Sequence, residues 1–80
     1  MYVHIGKNII INTNDIIGIF DINKLNKTDS YDNIVDNLCD NLVDISANNP
    51  KSLILIRKND KDVGYISNII SSTISNRVNN

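Results

Sequence analysis

Four basic side chains lie close together in the second half of this 80-residue chain, namely Lys51, Arg57, Lys58 and Lys61. Ammonium and guanidinium groups bind phosphate oxygens, so such a cluster on one hairpin would suit nucleic acid. The alternative is a charged, solvated turn, because Asp60 and Asp62 interrupt the cluster and no aromatic residues are interleaved with it. Both interpretations stay open on these residues alone.

Residue types suited to catalysis or metal binding are sparse. His4 is the one histidine and Cys39 the one cysteine. Acid–base catalysis needs a second group placed beside the histidine, and one cysteine cannot form an internal disulfide or a multi-cysteine metal site. The sequence therefore predicts no enzyme, no small-molecule substrate, no cofactor and no metal site. We expect His4 to pack or hydrogen-bond within a strand and Cys39 to be a small buried hydrophobic residue.

Length and charge restrict the classes of protein that the chain can form. Eighty residues predict one domain, 1–80, which can bury only about 60% of the surface of its unfolded chain and would gain from neighbouring subunits. The formal net charge is -1, so any DNA contact must come from a local basic patch or from its repetition around an oligomer. No apolar run is long enough to span a membrane and the start lacks a signal peptide, so we expect a cytoplasmic protein.

Three strands are predicted before any helix. Tyr2–Ile5 and Ile9–Ile11 flank the turn-like residues 6–8, and Ile16–Phe20 is a nearly continuous apolar run. Gly18 interrupts that run, which indicates a bulge or a close backbone approach. Residues 21–30 are predicted to form a loop.

The apolar period changes after Ser30. An amphipathic helix ending near Ala47 is predicted from apolar residues at helical spacing, namely Tyr31, Ile34, Val35, Leu38, Leu42 and Ile45. A second hairpin follows, with strands at 52–56 and 63–66. Ser67 is then placed to cap a terminal helix, whose apolar positions at helical spacing are Ile66, Ile69, Ile70, Ile74 and Val78. The expected fold class is α+β, with a small antiparallel sheet, one central amphipathic helix and a short C-terminal helix.

Four segments in order, MYVHIG, IIGIFD, PKSLIL and YISNIISSTISNR, resemble the RemB branch of the extracellular-matrix regulatory (Rem) proteins of low-GC Gram-positive bacteria. The resemblance covers nearly the whole chain and lapses between Asn23 and Asn48. It implies a cytoplasmic homo-oligomer, with a ring as one form, that regulates transcription of biofilm-matrix genes by binding DNA.

The chain departs from the Rem pattern at the positions that matter most for DNA. The arginines of the RemA branch fall opposite Asp15, Asn49 and Pro50 here, so no DNA-contacting residue carries over by identity. The candidate nucleic-acid contacts are therefore the cluster of the hairpin and its start, Lys51, Arg57, Lys58 and Lys61. The alternative function is an oligomeric protein-interaction module of the same fold that does not bind DNA.

Overall fold

The computed structural model describes residues 1–25, 30–38 and 41–79, and Cys39 lies outside them. The fold class is α+β, as predicted. Its elements in chain order are β1 (Tyr2–Gly6), β2 (Ile9–Asn12), a 3-10 turn (Thr13–Asp15), β3 (Ile16–Asp21), α1 (Ile22–Leu25), α2 (Ser30–Leu38), β4 (Leu42–Asp44), β5 (Ser52–Lys58), β6 (Lys61–Ser67) and α3 (Ser71–Asn79).

Both predicted hairpins are present, and each closes through a two-residue turn. Lys7 and Asn8 join β1 to β2 with φ values of 45° and 61°, and Asn59 and Asp60 join β5 to β6 with 54° and 64°. Two consecutive positive φ values are typical of the type I′ turn, whose twist matches that of the flanking strands. The β5–β6 turn is therefore shorter than the predicted charged turn, and both strands extend to its edge.

The main sheet has four strands in the order β3-β5-β6-β4. The predicted extension of the central helix to Ala47 is wrong, because Leu42–Asp44 form β4, which pairs in parallel with Gly64–Ile66 of β6. The three-residue spacing of Leu42 and Ile45 fits one face of a helix, whereas an extended chain directs the two side chains to opposite faces of the sheet, as observed. Pairing with β6 decides between the two conformations, since the Ile45 amide also donates to the Ile66 carbonyl at 2.8 Å.

The four-stranded sheet is covered on both faces. Successive side chains of β5 point to opposite faces of the sheet and enter two different apolar clusters. Ile54 and Ile56 face the β1–β2 hairpin and helix α3, in a core with Val3, Ile5, Ile11, Ile45 and Ile74. Leu53 and Leu55 face the other way, toward Ile22, Leu25 and Ile34 of α1 and α2. The near-continuous apolar run of β5 therefore reflects burial on both sides.

Strand β3 contains the predicted irregularity. Its register against β5 shifts between Ile16 and Gly18, which is a bulge, and the ring of Phe20 lies over Gly18. A Cβ at position 18 would stand 2.8 Å from two of the ring carbons. The absence of a side chain at Gly18 therefore leaves the space that the Phe20 ring occupies.

The β1–β2 hairpin forms a sheet of its own, so the three N-terminal strands are divided between two sheets. Helix α3 docks beside β1, where Arg77 Nη1 donates to the His4 carbonyl at 3.0 Å. The helix begins at Ser71, and the prediction that Ser67 caps it is wrong. Ser67 instead ends β6, and Ile74 anchors the helix as a fully buried side chain.

Candidate functional site

The tip of the β5–β6 hairpin holds two lysines directly opposite each other. Lys58 and Lys61 are register partners that flank the turn, and both are exposed. Directly opposed residues in an antiparallel pair have Cβ atoms about 4.5–5.5 Å apart, so two like charges there repel each other. Neither ammonium group pairs with an acid among the described residues.

Arg57, by contrast, is paired. Its Nε donates to Asp62 Oδ1 at 2.7 Å and its Nη2 to Asp62 Oδ2 at 3.2 Å. This contact lowers the pKa of Asp62 and raises that of Arg57. The two residues are partners across the strands, and strand alternation places them on the opposite face from Lys58 and Lys61. The guanidinium charge is thus largely balanced.

Lys51 lies at the other end of β5. Its amide donates to the Ser67 carbonyl at 2.8 Å and its carbonyl accepts from the Ile22 amide at 3.1 Å. At about 3.3 Å per residue, seven residues place it roughly 23 Å along the strand from Lys58. Of the four predicted contacts, the structure brings Lys58 and Lys61 together on one face, sets Arg57 beside them on the other, and places Lys51 apart.

A groove of about 430 Å³ opens beside Lys58, between the two hairpins. Its apolar and aromatic lining includes Tyr2, Ile10, Ile56 and Tyr65, and its polar lining includes Asn12, Asp15, Arg57 and Asn59. The residues 12–15 read as an ordinary turn in the sequence. Only the packing of the first hairpin against β5 and β6 brings Asn12 and Asp15 into the same groove as Lys58, so no local sequence pattern marks them.

The first hairpin also exposes large apolar side chains, two of which, Tyr2 and Ile10, line the groove. Met1, Tyr2 and Ile10 are 64%, 71% and 63% exposed. His4 lies on the same side as Tyr2 and is exposed, and its carbonyl rather than its imidazole makes the contact with Arg77. The prediction that the His4 side chain packs or hydrogen-bonds is wrong, because the imidazole is exposed and has no hydrogen-bond partner among the described residues.

The described residues contain no group of three or more His, Cys, Asp or Glu side chains able to hold a metal ion. Within the same residues, no helix has the length and apolar character needed to cross a membrane. No protein-family model matches the chain, and no curated protein matches it significantly.

Proposed function

We propose that this protein is a cytoplasmic regulator of transcription that binds DNA as a homo-oligomer, with Lys58 and Lys61 as its phosphate contacts. The observation that carries the proposal is the unbalanced pair of lysines at the hairpin tip. Opposed like charges destabilise a hairpin, and a phosphate placed between them would relieve their repulsion.

The neighbouring arginine supports the same surface. The contact with Asp62 uses one N–H on Nε and one on Nη2, and a guanidinium group has five. Three N–H groups of Arg57 therefore stay free of Asp62. Phosphate oxygens are suitable acceptors for them, although the acid reduces the net charge that Arg57 contributes.

Oligomerisation is part of the proposal because one copy is a weak DNA ligand. The whole chain has a net charge of -1, and Asp60 and Asp62 stand beside the basic residues. Presenting the same two lysines several times along one DNA turns later contacts into intramolecular events and multiplies affinity. The Rem resemblance, which implies such an assembly, agrees with this requirement.

The test measures binding to a pool of fluorescent duplexes at several salt concentrations by anisotropy. Lys58→Ala with Lys61→Ala should weaken binding. It should also make the negative slope of log K against log salt shallower by about 2 for each protomer in contact. Lys24→Ala is the matched control, since Lys24 is an exposed lysine of α1 on the far side of the sheet. An unchanged salt slope in the double variant would falsify the assignment of these lysines.

Lys51→Ala is a second comparison in the same assay. If Lys51 contributes to the same DNA surface despite its distance from the tip, this variant lowers the slope by about 1 for each protomer in contact. If only the tip binds, the slope keeps its value. Light scattering coupled to size exclusion, run with and without DNA, measures the number of subunits, and a monomer in both runs would contradict the proposed assembly.

The second candidate function is a protein-interaction module without DNA binding. It is favoured by Met1, Tyr2 and Ile10, whose exposed apolar surface on the first hairpin suits contact with protein. Tyr2→Ser with Ile10→Ser should dissociate the oligomer in this case. A discrete oligomer that ignores every duplex at low salt would favour this second function over the first.

A further inference from the structure

The groove between the hairpins contains an amide held in one orientation. Asn12 Oδ1 accepts a 3.0 Å hydrogen bond from the backbone N–H of Asn14. The acceptor end of the amide is thereby occupied, so the Nδ2 group, with its two N–H donors, is the end left for another molecule. Nothing in the described part of the chain accepts from it.

Asp15, three residues further along the same lining, offers the complementary chemistry. It is half-buried, and among the described residues its carboxylate accepts no hydrogen bond and forms no ion pair. A half-buried carboxylate is more stable with N–H donors than without them. The groove thus has a donor and a doubly accepting group close together in sequence on one side.

The remaining lining has the two features that a nucleotide needs. Tyr2 and Tyr65 provide aromatic rings on which a base can stack, with Ile10 and Ile56 as apolar surroundings. Lys58 lines the groove and Lys61 is its partner across the strands, so two ammonium groups are placed to bind an anion at this end. A volume of about 430 Å³ is within the usual range of small-molecule sites.

We propose that this groove binds a guanine nucleotide, a ligand beyond the proposed contact with duplex DNA. The Watson–Crick edge of guanine presents one acceptor, O6, followed by the donors N1–H and N2–H. Asn12 Nδ2 donates to O6, and the Asp15 carboxylate accepts from N1–H and N2–H. The phosphates lie between Lys58 and Lys61. Adenine places a donor where guanine has O6 and lacks the N1–H, so it leaves Asp15 without its partners.

The direct test is calorimetric titration of the intact protein with GDP, in the absence of DNA. The expected result is saturable binding of GDP, with ADP weaker by at least about tenfold because hydrogen bonds to a charged group are lost. Equal affinities for the two, or no binding of GDP at millimolar concentration, would overturn the proposal.

A change of specificity separates recognition by Asp15 from a structural role. Xanthine has a carbonyl at position 2 where guanine has an amino group, and an asparagine amide donates to that carbonyl while accepting from N1–H. Asp15→Asn should therefore lower the affinity for GDP by at least about tenfold and raise that for xanthosine diphosphate. The matched control is Asp32→Asn on α2, an exposed carboxylate on the other side of the sheet, which should change neither affinity. Loss of both ligands in the Asp15→Asn protein, with its thermal unfolding unchanged, would contradict the assigned base contact.

The nucleotide and DNA would share Lys58 and Lys61, so GDP should displace a bound duplex in proportion to its own affinity. Binding of duplex DNA without binding of GDP overturns this inference and leaves the proposed function standing. Binding of GDP without binding of DNA supports the inference and overturns the proposed function.

Discussion

The hydroxyl of Ser67, at the end of β6, donates a 2.6 Å hydrogen bond to the carbonyl oxygen of Ile5 in β1. The Ser67 hydroxyl oxygen in turn accepts a hydrogen bond from the Ile69 amide at 3.0 Å. One fully buried serine therefore ties the four-stranded sheet to the first hairpin and to the segment that leads into α3. These contacts hold the hairpin in the position that forms one wall of the groove.

Ser67→Ala should reduce the free energy of unfolding by about 1–3 kcal/mol, because it removes the hydroxyl that bonds the buried Ile5 carbonyl and the half-buried Ile69 amide. Urea denaturation measures the difference. Ser72→Ala is the control, since Ser72 is exposed on α3 and its loss should change stability by less than about 0.5 kcal/mol. A similar effect from both variants would mean that the Ser67 bridge contributes nothing special.

Gly18→Ala should destabilise the protein by about 1–3 kcal/mol, because the new methyl group meets the Phe20 ring and forces it to move. Adding Phe20→Leu to this variant removes the clash. The double variant should lose less stability than the two single changes predict together, a coupling that thermal or urea unfolding resolves. Simple additivity would show that the ring is free to move aside.

Lys58→Glu should stabilise the hairpin while abolishing its contact with DNA. An opposite charge facing Lys61 replaces repulsion with attraction, which is worth about 0.2–1 kcal/mol. Urea unfolding and duplex binding are measured on the same preparation, with Lys58→Gln as a control that removes charge without creating an ion pair. A variant that is more stable and still binds DNA would exclude Lys58 from the interface.

The stability of the protein should fall as the pH drops below about 5 and through the acid range. The Ser46 hydroxyl and amide donate to Asp44 Oδ1 at 2.6 and 2.9 Å, and these bonds lower the pKa of Asp44 in the folded protein. A carboxyl group with a lowered folded pKa stabilises the fold above its unfolded pKa, and this contribution is lost as pH falls through the folded value.

The check on this pH dependence is an NMR titration of the Asp44 carboxyl group. Ser46→Ala should raise the pKa of Asp44 toward its ordinary value and leave that of Asp62 depressed, because Arg57 rather than Ser46 lowers the latter. Arg57→Ala should do the reverse. If both carboxyl groups respond to either change, the two effects are not local.

Much of the fold could be predicted from short-range patterns. The polar residues at 7–8 and 59–60 lie between β-branched runs, and both pairs form tight turns because neighbouring residues alone determine such geometry. The irregularity at Gly18 is predicted for the same kind of reason, and so are Ile74 and Val78 as apolar positions of α3, although the predicted helix begins too early. The cluster of basic residues is evident from the sequence too, since its four members lie within residues 51–61.

What the sequence by itself determined is therefore the α+β class, the two hairpins and the positions of the charges along them. Tertiary structure alone decided that residues 42–44 form a strand. Their apolar residues continue the helical spacing of the preceding segment, and the parallel pairing with β6 is what makes them extended. Tertiary structure also separated Lys51 from Lys58 and paired Arg57 with Asp62. Both results depend on the exact length of β5 and on its register with β6, which the sequence does not specify. The groove is the clearest case: Asn12 and Asp15 lie more than 40 residues from Lys58 along the chain, and only the packing of one hairpin against the other brings them together.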